Sequence, residues 1–428
     1  MPQSKILYLS DRTSFSDARI PDSLLVEMRM KGLVAPDMRE INFCGVIPFD
    51  SRLAVFLPRN SSDSSLNKNV AAHNLLRALS KYYEDKDTAV YSQETGESVI
   101  GGKVLSLITS LFEDYQLNGL YVRRVKEKRV NSGKVNWSKT ISRSAAFPAT
   151  NGVIYLDLHS TKSRYIANCE TARIHAHVIK DIITTFGPIY LGNNSSIDER
   201  LEQQQKPIGT TEAQISYLKR ELQLSYSERD IFLIKSLIQY LSDLEGEGSS
   251  KVIIGVRKFQ GIWEAMLDKC LVGKYSVNSK LPIPVYETAG SRFVPVAQKG
   301  QRTDTVLKHT DNQRFAVVDA KYYRADSPST APGWPDLVKQ FFYKEALAQV
   351  VGGELTITNH FVFPGNERLL TAAYVAERNK HIESAQDCLD RYAPIYCHYQ
   401  DPLVLIDAYV NGKKLDRIMA EIFPNLEF

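Results

Sequence analysis

Asp304 and the triplet Asp319-Ala320-Lys321 are the residues of this chain whose types and spacing best suit chemistry. The apolar run Phe315-Ala316-Val317-Val318 leads into the triplet, and the polar pair Asp311-Asn312 lies midway between the two acids. A two-residue loop at Asp311-Asn312 sets Thr310 across from Gln313 and, counting outward, Asp304 across from Asp319. Opposed residues share a face and side chains alternate along a strand, so Lys321 projects on the same face as Asp319. Two carboxylates that close repel each other unless a cation lies between them, and oxygen ligands suit Mg2+. The expected chemistry is phosphodiester hydrolysis: a divalent ion on Asp304 and Asp319 activates water, and Lys321 positions it or stabilises charge on phosphorus.

The triplet pattern alone carries little. Glu84-Asp85-Lys86 repeats it within a polar run with no apolar strand before it, where a solvated surface is the ordinary reading. Near Asp319 the setting adds further groups. Trp263, Leu267 and Cys270 follow helical spacing, as do Glu264, Leu267 and Leu271, so Glu264 borders an apolar stripe and can complete the metal shell or hold a second ion. Pro335 and Asp336 suit the first turn of a helix running to Leu347. Gln340 and Tyr343 share one face of that helix. They either touch a phosphate and orient Lys321, or serve as packing and surface residues.

These residues need elements to hold them. The chain has 428 residues, enough for about three domains. The predicted class is α/β and multidomain: a β-rich N-terminal part over 1–85, a mixed α/β middle part over 86–245, and a C-terminal catalytic core with a mixed sheet over 251–428. Asn42–Pro48 and Leu53–Pro58 read as strands, Asn60–Ser65 as a loop, Val70–Leu79 and Val104–Phe112 as helices. Two more helices fill Thr211–Glu245, with Ser225-Tyr226-Ser227-Glu228 in capping-box form. Gly246-Glu247-Gly248-Ser249-Ser250 reads as a linker.

The middle part carries Arg123, Arg124, Lys126, Lys128, Arg129, Lys134, Lys139 and Arg143, interleaved with Tyr121 and Trp137 and opposed only by Glu127. Such a stretch tracks a nucleic-acid backbone, or forms a solvated hairpin whose charged edge prevents aggregation. A net charge of +4 leaves any nucleic-acid affinity to local patches of this kind. Five scattered cysteines without C-x-x-C spacing argue for a reducing, cytoplasmic compartment and against structural zinc. His175, His177 and His398 read as surface or packing histidines. No apolar run approaches the ~20 residues that span a bilayer, and Met1–Arg12 lacks the apolar core of a secretion signal. Gly96–Val104 resembles a phosphate loop, but its glycine spacing is wrong and Val104 stands where a metal-binding hydroxyl belongs, so the chain is expected to hydrolyse no nucleotide by itself.

Val318–Tyr323, then Pro332–Gln340 with Tyr343, resemble the nuclease core of LlaJI-type restriction endonucleases, relatives of McrC, the nuclease subunit of the McrBC restriction system. Phe43–Ile47 and Gly133–Ile141, which contains Trp137, extend the resemblance to all three parts. It implies a PD-(D/E)xK core, Mg2+-dependent (or Mn2+-dependent) cleavage of double-stranded DNA, and restriction of foreign DNA such as phage genomes. With the reading of the residues above, the expected catalytic residues are Glu264, Asp304, Asp319, Lys321 and Gln340, with the three acids as metal ligands. It implies a McrB-like AAA+ GTPase partner, so that GTP acts only through that subunit and part of the basic stretch serves the partner. Thr303 stands where the motif's name has proline. Two other readings remain open: a stand-alone repair or recombination nuclease, and a non-catalytic adaptor that stimulates an AAA+ partner.

Overall fold

The computed structural model describes residues 6–17, 19–34, 39–50, 52–62, 67–88, 99–191, 198–246, 252–311, 313–353 and 355–424. The fold is mixed α/β, with helices interleaved among several sheets. Residues 1–102 together with 253–428 form one compact unit, and residues 103–252 form another.

The first unit opens with β1 (Ile6–Ser10), α1 (Asp22–Met30), β2 (Cys44–Phe49), β3 (Arg52–Leu57) and α2 (Lys68–Thr88). β2 and β3 are the two apolar runs read in the sequence, and they pair antiparallel, Val46 against Val55. β1 adds to β3 in parallel. Leu24 and Met28 of α1 pack with Phe43, Ile47 and Phe56 into one buried cluster, the apolar face that such short strands need for stability.

The second unit comprises α3 (Gly102–Asn118), β4 (Arg123–Val130), β5 (Lys134–Val135), α4 (Trp137–Arg143), β6 (Ala146–Ala149), β7 (Gly152–Tyr155), β8 (His159–Ile166), α5 (Glu170–Tyr190), α6 (Glu199–Glu202), α7 (Thr211–Gln223) and α8 (Glu228–Gly246). β4, β8 and β5 form a three-stranded sheet, while β6 and β7 make a separate hairpin. α5 supplies the apolar core through Ile174, Val178, Ile182 and Phe186. Arg229 of α8 grips Asp114 of α3 with two hydrogen bonds of 3.0 Å. The two helices expected over 211–245 are α7 and α8. The hydroxyl facing the first turn of α8 is that of Ser227, 3.5 Å from the Asp230 N–H, two residues beyond the Ser225 of the expected capping box.

The chain then returns to the first unit with β9 (Ile254–Val256), α9 (Gln260–Cys270), β10 (Val285–Glu287), β11 (Phe293–Pro295), β12 (Thr305–Lys308), β13 (Arg314–Ala320), α10 (Trp334–Val351), β14 (Thr356–Pro364), β15 (Ala372–Ala373), β16 (Ile395–Gln400), α11 (Pro402–Asn411) and α12 (Asp416–Ile422). Its mixed sheet runs β12-β13-β14-β16-β15, with β13, β14 and β16 parallel and the two edge strands antiparallel. α10 makes the crossover from β13 to β14.

This layout differs from the three-part division expected from the sequence, in which 1–85 stands apart from 251–428. β9 completes the N-terminal sheet by pairing with β2, Cys44 against Val256. The approach is so close that a Cβ on Gly255 would lie 2.4 Å from the Cys44 carbonyl oxygen, and one on Gly45 would lie 2.2 Å from that of Ile254. The Arg59 N–H donates to the Tyr322 hydroxyl at 2.8 Å, and the Asn60 amide donates to the carbonyls of Arg324 and Pro364. Strand pairing thus draws the two ends of the chain together and leaves 103–252 as an insertion between them. Several expected features lie outside the described residues: Met1–Lys5, Asp63–Ser65 of the loop, Gly96–Ser98 of the phosphate-loop-like segment, and Glu247–Ser250 of the linker. Among the described residues no helix is long and apolar enough to cross a membrane.

Candidate active site

The hairpin register matches the count from the sequence. Thr305 pairs with Val318 and Lys308 with Phe315, so the next step outward sets Asp304 across from Asp319. His309 N–H donates to the Arg314 carbonyl, closing the turn at Asp311; Asn312 lies outside the described residues. Asp304 immediately precedes β12, where its Oδ2 accepts from the Ala320 N–H at 3.1 Å. Asp319 is the penultimate residue of β13, an interior strand buried almost throughout because β12 and β14 flank it and α10 covers it.

Lys321 follows the strand end. Its own N–H donates to the Val362 carbonyl, and the next residue, Tyr322, is wedged against Phe259 and Trp263. With the backbone held in this way, the Lys321 ammonium lies 3.1 Å from Asp319 Oδ2 and 3.0 Å from Asp336 Oδ1. Gln340, fully buried on α10, donates from Nε2 to Asp319 Oδ2 at 2.9 Å. Its backbone carbonyl accepts from the Asn359 side chain on β14, and both the Gln340 Oε1 and Asn359 Oδ1 atoms are buried without a hydrogen-bond partner.

The electrostatics follow from this crowding. Asp304 has its carboxyl pKa raised well above the ordinary range, first by loss of water to surrounding protein and then by the charges of Asp319 and Glu264. The residue as a whole keeps contact with solvent, so the repulsion from Asp319 is the firmer cause. Burial alone would lower the Lys321 ammonium, but Asp319 and Asp336 outweigh it and raise its pKa, holding the proton on Nζ. Tyr343 has its phenol raised by burial and then by the charges of Asp319 and Asp304, which puts it beside the pair.

Glu264 lies on α9, half-buried as its helical position predicts, and its Oε1 accepts from Gln260 at 2.9 Å. It is near enough for its charge to act on Asp304. Yet among the described residues no three His, Cys, Asp or Glu gather closely enough to hold a metal ion. Asp304, Asp319 and Lys321 come together as the sequence predicts, and Gln340 joins them. Glu264 stands back, held by its own helix neighbour. Asp336 and Tyr323 were not among the expected site residues, although the Tyr323 hydroxyl donates to Asp336 Oδ2 at 3.1 Å and Asp336 holds Lys321. The signal available was an acid in the first turn of the helix after the triplet, read only as a helix-dipole partner.

The basic stretch forms β4, β5 and α4 of the second unit. Arg124, Lys126 and Lys128 are exposed and alternate with half-buried Arg123, Val125 and Glu127. Arg123 is paired with Glu221, and Arg129 with Glu127 at 2.7 Å. Lys134 is exposed, Lys139 half-buried and Trp137 is 57% exposed at the start of α4. His175 is a core residue that accepts from the Tyr121 N–H. His398 is not isolated: it shares a buried hydrogen bond of 2.9 Å with His360 and a 3.1 Å contact with Glu421.

The chain has a distant likeness to two solved structures. One is a refined half-complex from the tetradecameric assembly of Thermococcus gammatolerans McrB AAA+ hexamers with bound McrC, at 13% identity and a TM-score of 0.39, covering 96% of this chain and 99% of that one. The other is the cryo-EM structure of the Thermococcus gammatolerans McrBC complex, at 15% identity and a TM-score of 0.28, covering 60% and 84%. No curated protein matches the chain. The LlaJI restriction endonuclease family matches residues 43–374, a span that holds Glu264, Asp304, Asp319, Lys321, Asp336 and Gln340, and the chain belongs to that family.

Proposed function

We propose that this chain is the metal-dependent nuclease subunit of a restriction system, hydrolysing phosphodiester bonds of double-stranded DNA at the Asp304–Asp319–Lys321 site. The observation that carries this reading is the pairing of Asp304 with Asp319 at one strand end, with a lysine held protonated beside them. The donor set fits a divalent cation, because two carboxylates that repel each other are relieved by positive charge between them. Asp304 and Asp319 would hold Mg2+, or Mn2+, with Glu264 as the remaining carboxylate within electrostatic reach. Bound there, the ion supplies a lowered pKa for water and charge neutralisation for the phosphate.

The side chains supply the rest. Gln340 fixes the orientation of Asp319 by donating to Oδ2, which leaves Oδ1 for an incoming ligand. Lys321, already protonated, offers its hydrogens to the charge that builds on the phosphoryl oxygens; such a fixed donor is worth about 10²–10³ in rate.

The partner we propose, an AAA+ GTPase that translocates DNA and regulates cleavage, rests on the sequence resemblance to McrC. The exposed row Arg124, Lys126, Lys128 and Lys134, with Trp137, is the surface we assign to DNA or to that partner. The experiment is cleavage of duplex DNA by the full chain in Mg2+, with and without a McrB-like AAA+ subunit and GTP. Asp319→Ala and Lys321→Ala are expected to abolish product while melting as the wild type does. Cleavage retained by purified Asp319→Ala would end the proposal, and cleavage indifferent to partner and GTP would favour a stand-alone nuclease.

A further inference from the structure

α10 and the segment 282–302 enclose two adjoining clefts of about 440 and 490 Å3, which share Lys299, Gln301 and Phe342 as lining residues. The second cleft is lined by three cations, Lys299, Arg302 and Lys339, and none of its lining residues is acidic. The farther cleft holds one carboxylate, Glu345. Lys299 also lies over the Tyr286 ring at 5.6 Å, on the β10–β11 hairpin.

The position of this cleft follows from chain geometry. Arg302 is two residues before Asp304, and Lys339 directly precedes Gln340, whose amide is bonded to Asp319. Tyr343, which feels the charge of both acids, is among the residues that line the cleft. Phe342, which lines both clefts, is 61% exposed. A cationic trough with an exposed ring, one of whose lining residues, Tyr343, feels the charge of both carboxylates, complements an anionic polymer that carries flat bases.

We propose that this cleft seats the DNA strand being cut: Lys299, Arg302 and Lys339 contact the phosphates flanking the scissile one, and Phe342 rests against a base or sugar. The inference rests on the nuclease reading above and adds where the substrate runs. It places a DNA-binding surface on the unit that carries the catalytic residues.

The test is binding of a fluorescent duplex DNA to the full chain in Ca2+, titrated at several KCl concentrations. The variant K299A/R302A/K339A is expected to bind about tenfold or more weaker at low salt, and its slope of log affinity against log salt to flatten by up to about 2.7, near 0.9 for each phosphate no longer neutralised. The charge-keeping variant K299R/R302K/K339R is expected to hold both quantities near wild type, and F342A to weaken binding without changing the slope. An unchanged slope and affinity in the alanine variant, with wild-type melting and wild-type DNA binding intact, would overturn the cleft and leave the nuclease reading standing. A wild-type chain that neither binds nor cuts DNA would remove that reading and the cleft with it.

Discussion

Lys321 and Asp336 are joined by a 3.0 Å ion pair that ties the end of β13 to the first turn of α10. The same ammonium reaches Asp319 at 3.1 Å, so Asp336 decides where the lysine stands when Asp319 turns to another ligand. Asp336→Ala is expected to lower kcat by about 10–100-fold with a small change in KM, since displacing a reacting group by about an ångström costs that much. Asp336→Glu should recover part of the loss. Steady-state cleavage kinetics decide this, and an unchanged kcat for the alanine variant would separate Asp336 from the site.

Asp304 and Asp319 repel each other in the metal-free protein. Asp304→Asn keeps an acceptor for the Ala320 N–H and removes one charge. It should abolish cleavage yet raise metal-free stability by about 1 kcal/mol. Mg2+ should raise the melting midpoint of the wild type and leave that of Asp304→Asn nearly unmoved. Calorimetry with and without Mg2+ reads both effects.

His175 is buried and held neutral, its pKa lowered from 6.5 to about 4 by burial. The unfolded chain therefore binds more protons between those values, and the stability this residue contributes is lost as pH falls from 6.5 towards 4. The full loss is about 3 kcal/mol. Protection factors of the α5 amides should fall over that window, and His175→Asn should flatten the dependence.

The exposed row on β4 offers a cleaner decision than its composition did. Arg124→Ala/Lys126→Ala/Lys128→Ala should melt as the wild type, because these side chains face water. A fall in DNA affinity assigns the row to nucleic acid; a fall only in partner binding assigns it to the AAA+ subunit. No change in either makes it a charged edge that serves solubility alone.

Gly255 permits the approach of β9 to β2. Gly255→Ala would place a Cβ 2.4 Å from the Cys44 carbonyl oxygen, and opening the strands to admit it is expected to cost about 2 kcal/mol or more. Chemical denaturation should show the loss in the unit that carries the site.

The sequence by itself determined the Asp304–Asp319 register, the side on which Lys321 emerges, and the helices α7, α8, α9 and α10. Each of these depends on local rules: a turn length fixes pairing by counting, pleating fixes alternation, and helical spacing fixes a face. Tertiary structure alone decided that Gln340 turns to Asp319, that Asp336 clasps Lys321, that His360 partners His398, and that β9 joins a sheet more than two hundred residues upstream. Those relationships depend on how a crossover helix lies against its strand and on which distant strand edge is free to pair. Such distances are set by packing across the whole unit, and no spacing along the chain encodes them.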